Sequence, residues 1–231
     1  MKFSIIDFTV WPLIRMQEKD LRSELKLRLV VFSLAATSLG CLLGQMWGFW
    51  SMRAFACLIL LPATAALVYL AWRFRGQPAS RWIVHGAIGG VVAACAYDLF
   101  RVPFVLNGAP LFRVFFRFGE MLWGSAEPAW LIHALGWTYH FSNGAALGIM
   151  ALTLIPRAKA SFLFWGAVVW ACFIEAMLLL TPYPTYFGFR LNSRFILITF
   201  SAHLVFGIVL GIWLARFAVA PRALTTEKLG R

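Results

Sequence analysis

Long apolar runs, separated by short polar or basic stretches, fill the chain from residue 29 to residue 217. Windows of about 19 residues place six hydrophobic helices near 29–48, 54–73, 82–105, 128–155, 161–181 and 195–217. Each is long enough to cross a hydrocarbon core of about 30 Å. The pattern predicts an all-α, polytopic membrane helical bundle of six transmembrane helices over 29–217. An interfacial and then charged cytoplasmic segment (1–28) precedes it, and a cytoplasmic basic tail (218–231) follows. Residues 106–127 form the longest outer connection. Their alternation of Phe112, Phe115, Phe116 and Phe118 with Arg113, Arg117 and Glu120 suits a helix lying flat at the outer interface.

Composition agrees with this reading. Hydrophobic residues make up 61% of the chain and charged residues 13%, against about 25% charged in a soluble domain. The start is not that of a cleavable signal. Residues 3–14 are apolar but too short to span, and residues 15–28 are dense in charge, where a signal peptide would place its apolar core. Orientation follows from the basic residues. With the N-terminus cytoplasmic, 15 of the 21 Lys and Arg fall inside and 6, all arginines, fall outside. That excess expects a bacterial inner-membrane protein with both termini cytoplasmic. The net charge of +12 then reflects topology and anionic lipid, not nucleic acid, because the basic residues flank several spans instead of sharing one face. Cys41, Cys57, Cys95 and Cys172 sit singly in apolar runs and read as small hydrophobes.

Glycine spacing organises the bundle further. His85, His140 and His203 are each followed by glycine four residues on, at Gly89, Gly144 and Gly207. Such a glycine lets another helix, or a ligand, approach the backbone. The segments HFSNGAALG (140–148) and HLVFGIVLG (203–211) share His-x3-Gly-x3-Gly, and Pro103 and Pro182 close the helices before them. Helices 3–4 and 5–6 therefore read either as a tandem hairpin repeat or as a chance likeness among small-residue segments. The first helix has its own ridge, Gly40, Gly44 and Gly48. Its close packing serves the chain itself, a homo-oligomer or a membrane-complex partner.

Polar residues inside the spans are the candidate chemistry. At about 1.5 Å rise per residue, Asp98 and Glu175 lie roughly 22–24 Å from the inner boundary, and His133, His140 and His203 lie roughly 7, 18 and 12 Å below the outer one. Asp98 has Arg101 three residues on as an ion-pair partner. Glu175 has only Ala171, Cys172, Leu178 and Leu179 around it on its own helix, so it is protonated or paired across helices, with His140, His203 or Arg101 at compatible depth. The ligand or proton site is therefore expected from Glu175, His140, His203, Asp98 and Arg101. Candidate metal ligands are His140, His203, Glu175 and His133, for a transition metal or, through the histidines, a haem. Neither HExxH spacing nor the carboxylate-x-x-His pairs of di-iron bundles occur. Two function classes stay open. One is a non-enzymatic membrane subunit or small transporter-like protein that binds a proton, ion or small ligand. The other is a metal- or haem-dependent membrane enzyme acting on a lipid or quinone.

Two resemblances bear on these classes. AHLVFGIVLG (202–211) is similar to the histidine-bearing helix of rhomboid intramembrane proteases, and His140 with Asn143 is similar to their oxyanion-hole residues. No GxSG serine stands between those elements, and the assignment is rejected. The stretches GAIGGVVAACAYDLFRVPF (86–104), YHFSNGAALGI (139–149), LLLTPYP (178–184) and AHLVFGIVLGIWLAR (202–216) resemble the YagU-like group of small bacterial inner-membrane proteins. That resemblance covers the last four helices. It implies a helical inner-membrane fold and singles out His140 and His203.

Overall fold

The computed structural model describes residues 10–126, 128–155 and 159–218, with side chains from Leu21 to Phe217 within those ranges. Most of the expected interfacial segment and the basic tail beyond Ala218 lie outside those residues. The elements are α1 (Val10–Met46), α2 (Met52–Phe55), α3 (Leu61–Arg73), α4 (Pro78–Leu106), α5 (Arg113–Trp123), α6 (Ala129–Leu154), α7 (Ala160–Leu180), α8 (Tyr183–Tyr186) and α9 (Ser193–Trp213). No strand occurs among the described residues.

Five segments are long and apolar enough to cross a membrane: Leu21–Met46, Met52–Arg73, Pro78–Leu106, Ala160–Leu180 and Ser193–Phe217. Their outward faces carry exposed Leu58, Val68, Leu99, Trp165 and Leu197, as expected of helices whose solvent is lipid. This is the make-up of an integral membrane protein. The fourth predicted span, α6, is long enough but falls outside this set, because His133, Tyr139, His140, Ser142 and Asn143 dilute its apolar character. Its second half is wrapped by protein, with most of Gly144–Thr153 buried.

Local chemistry sets the boundaries. The Met52–Arg73 segment contains a π-helical turn, Ala56–Leu60, in which the Leu61 N–H reaches the Ala56 carbonyl. Pro62 follows directly and has no N–H to continue the ordinary ladder, which accounts for the widened turn. The Asn192 side chain accepts from the Phe195 N–H at 2.8 Å and starts α9. Pro103, expected to close its helix, lies inside α4, which runs on to Leu106. The Gly40–Gly44–Gly48 ridge is also used differently from expectation. Gly48 lies past the end of α1 with φ +73°, Gly44 is covered by the Trp50 indole folded back on it, and nothing lies within 4 Å of where a Gly40 side chain would start.

Glycines decide how the central helices cross. The α4 and α6 backbones touch antiparallel, Gly86 against Gly148 and Ile149, and Gly90 against Gly144. Helices α7 and α9 touch in the same sense, Gly207 against Val168 and Ala171, and Gly211 against Phe164. Gly89 of α4 receives Trp213 and Leu210 of α9, which joins the two hairpins. All three glycines of the His-x3-Gly pattern thus meet another helix. Helix α1 runs along α6, with Ser38 bonded to Asn143 at 2.7 Å and Arg28 bonded to the Thr153 carbonyl at 3.2 Å. Segment 106–127 forms α5, which folds back antiparallel along the first half of α6. Phe115 meets Gly136 and Gly119 meets Ile132. Phe115 and Phe118 are 2% and 4% exposed, so the aromatic face expected at the lipid interface is covered by protein.

Candidate functional site

Among the described residues, Asp98 on α4 and Glu175 on α7 are the two buried carboxylates, and each finds a histidine across its hairpin. Asp98 Oδ2 lies 2.8 Å from His140 Nε2 on α6. Glu175 Oε2 lies 2.9 Å from His203 Nδ1 on α9. Both pairs sit beyond the glycine crossings that hold their helices together, toward the C-terminal ends of α4 and α7, so close backbone packing fixes the separation of acid and base.

The first pair is completed by Arg101. Its Nη1 is 3.4 Å from Asp98 Oδ1 and its Nη2 donates to the Leu111 carbonyl at 2.7 Å. The guanidinium also lies 4.6 Å from the Tyr97 ring centroid and 5.1 Å and 5.5 Å from those of Phe112 and Phe115. Arg101 is 4% exposed, and these rings stand where water would solvate it. The Asp98–Arg101 pair expected from spacing is present, and His140 is an additional partner on the other carboxylate oxygen. Because Asp98 is an acceptor toward Arg101 and His140 alike, His140 presents Nε2–H to it.

In the second pair His203 Nδ1 faces two acceptors, Glu175 Oε2 and the Thr199 carbonyl at 3.0 Å. That nitrogen therefore carries the proton, and Nε2 is the position that gains or loses one. The other Glu175 oxygen, Oε1, is buried without a hydrogen-bond partner among the described residues, and so is Arg101 Nε. Tyr97 joins the two pairs, its ring 4.9 Å edge-on from His203 and 6.2 Å from His140.

These groups border one partly open cavity of about 110 Å³, lined by Tyr97, Arg101, His140, Glu175 and His203 together with mostly apolar and aromatic side chains. Tyr183 stands at its outer end, and burial pushes its phenol well above the usual range. Among the described residues, no group of three or more His, Cys, Asp and Glu is placed to hold a metal ion. His140 and His203 are each tied to their own carboxylate, with the Tyr97 ring in contact with both. His133 is exposed, its ring tilted 4.8 Å from that of Phe116, and His85 lies away from the cavity with Nδ1 unpartnered among the described residues.

Sequence reasoning collects Asp98, Arg101, His140, Glu175 and His203 but misses Tyr97, Phe115 and Thr199. In the sequence Phe115 reads as an interface anchor and Thr199 as an ordinary helix residue. The signal for Tyr97 is its place beside Asp98, one turn before Arg101. No family model matches the chain, and no curated protein or solved structure does so.

Proposed function

We propose that the chain is a non-enzymatic subunit or small transporter-like protein of the bacterial inner membrane, with both termini cytoplasmic. In this reading α6 is a sixth span, and α4–α6 and α7–α9 are two related hairpins, each bringing an acid from its first helix to a histidine on its second. The pairs bind one exchangeable proton between them. The observation that supports this most is the charge inventory of the buried centre. Asp98 and Glu175 bring two negative charges and Arg101 one positive charge, so a single proton on His203 or His140 makes the set neutral. An apolar surrounding favours the neutral set. The resemblance to YagU-like proteins is compatible with this assignment and adds no mechanism.

The test is proton uptake by the purified protein in detergent, with ¹⁵N-labelled histidine followed by NMR between about pH 8 and about pH 5. His140 and His203 signals are assigned by replacing each with Gln. A titration at one pair that alters when the carboxylate of the other pair is removed is the expected result. Two histidines that titrate independently, or not at all, would refute a shared proton.

A further inference from the structure

The cavity beside Glu175 is built for more than a proton. Its wall between α1 and α7 consists of Leu39, Leu42, Leu178 and Leu179. Leu39, Leu178 and Leu179 are half-buried, and α1 and α7 do not pack on each other. The site is thus open on its apolar side, toward the face where lipid chains would lie. Two residues that line it each keep a buried polar atom without a partner among the described residues, the acceptor Oε1 of Glu175 and the donor Nε of Arg101. Glu175 is 3% exposed, and leaving such an acceptor unpaired is costly.

The shape adds a second constraint. A cavity of about 110 Å³ is smaller than the about 150 Å³ that holds a benzene, so a six-membered ring fits only by extending into its open apolar side. Aromatic rings surround it, from Tyr97 and Phe115 at the centre to Tyr183, Phe189 and Phe195 at the outer end. Charge excludes the extremes. An anionic head would face the Glu175 carboxylate, and a cationic head would face Arg101.

We infer that the cavity binds a membrane-soluble phenol, an aromatic ring bearing a free hydroxyl and an apolar tail. The ring fills the aromatic chamber, the hydroxyl donates to Glu175 Oε1, and the tail leaves between α1 and α7. This rests on the reading of Glu175 as the ionised partner of His203.

The probe is a ring-fluorinated 4-decylphenol added to the full chain in detergent micelles, with ¹⁹F NMR reporting a separate, saturable bound signal. Its methyl ether, which keeps the oxygen but lacks the proton, should bind about tenfold more weakly, as should the fluorinated decylbenzene, because one hydrogen bond to a charged acceptor is worth at least that factor. Glu175→Gln should weaken the phenol by a similar factor while keeping the fold, because the amide must spend its oxygen on His203 and present N–H to the cavity. Leu178→Trp should block the tail path and abolish the bound signal without touching the His203–Glu175 pair. Equal binding of the phenol and its ether, or phenol binding unchanged in both variants, would overturn the inference. If His203 still titrates while the phenol does not bind, the ligand assignment fails and the proton centre stands. If His203 does not titrate, the reading beneath it has failed.

Discussion

Replacing Asp98 with Asn removes one charge and almost no volume, and so isolates what that charge does for Arg101. The ion pair spans 3.4 Å, with side-chain exposures of 5% for Arg101 and 10% for Asp98. At an effective dielectric of about 20, two unit charges at that distance attract by about 5 kcal/mol. The Leu111 carbonyl and the three rings around the guanidinium remain in the variant and still bind the cation, and the new amide oxygen still accepts from His140. The expected loss is therefore about 3 kcal/mol, at the lower end of what breaking a buried pair costs. Adding Arg101→Met to Asp98→Asn removes the stranded charge, and stability should return to within about 1 kcal/mol of the parent. The assay is reversible unfolding of the protein from dodecyl maltoside micelles by added SDS, followed by tryptophan fluorescence and near-UV circular dichroism. A single variant within about 1 kcal/mol of the parent, or a double variant no better than the single, would show that Asp98 does not neutralise Arg101.

Leucine at Gly90 or Gly144 should prevent folding, since a side-chain carbon at Gly90 would collide with the Gly144 carbonyl and one at Gly144 would lie 2.8 Å from Ala94 Cβ. Leucine at Gly40, where nothing lies within 4 Å, should be tolerated, and leucine at Gly76 should cost about 1 kcal/mol through its φ of +79°; recovery of monodisperse protein ranks the four. Glu175→Leu should be within about 1 kcal/mol of the parent in the SDS assay while the His203 titration moves, because a neutral His203 keeps its Nδ1 contact with the Thr199 carbonyl and leaves no stranded charge; a large loss of stability would mean that the carboxylate mainly holds α7 to α9. Reporter fusions after Arg53, Gly119 and Arg190 should read periplasm, and those after Gly76, Lys159 and Arg231 cytoplasm; signals on the same side after Gly119 and Lys159 would remove α6 from the spans.

The parts of this fold visible in the sequence are those set by one-dimensional quantities. Apolar length places α7 and α9 to within a residue or two at most ends. The absence of any neutralising neighbour on α7 shows that Glu175 must look to another helix for its partner. What stayed hidden depends on rotation about helix axes. The relation of Asp98 to His140 follows from the face on which Gly90 meets Gly144, and composition says nothing about that face. The burial of Phe115 could not be separated from an interfacial anchor, because an amphipathic segment reads the same whether its apolar side meets lipid or protein. Helix α6 inverts the usual signal: Tyr139 and Asn143 weaken its hydropathy but face Ser38 on α1, and His140 faces Asp98 on α4.

That polarity has a consequence for how the chain enters the membrane. A helix carrying His133, His140 and Asn143 is a poor candidate for spontaneous partitioning, since each polar side chain adds to its transfer cost into hydrocarbon. In the six-span arrangement α6 would reach its place by docking on surfaces already present. These are the glycine face of α4 with Asp98 exposed, the returning α5, and the Ser38 side of α1. All three precede α6 in the chain and so leave the ribosome before it, which allows the nascent protein to assemble a lined slot before the helix that needs it. Lengthening the α5–α6 connection should then leave the finished protein stable while lowering the fraction of chains that insert correctly, a defect of biogenesis separable from any defect of the folded state.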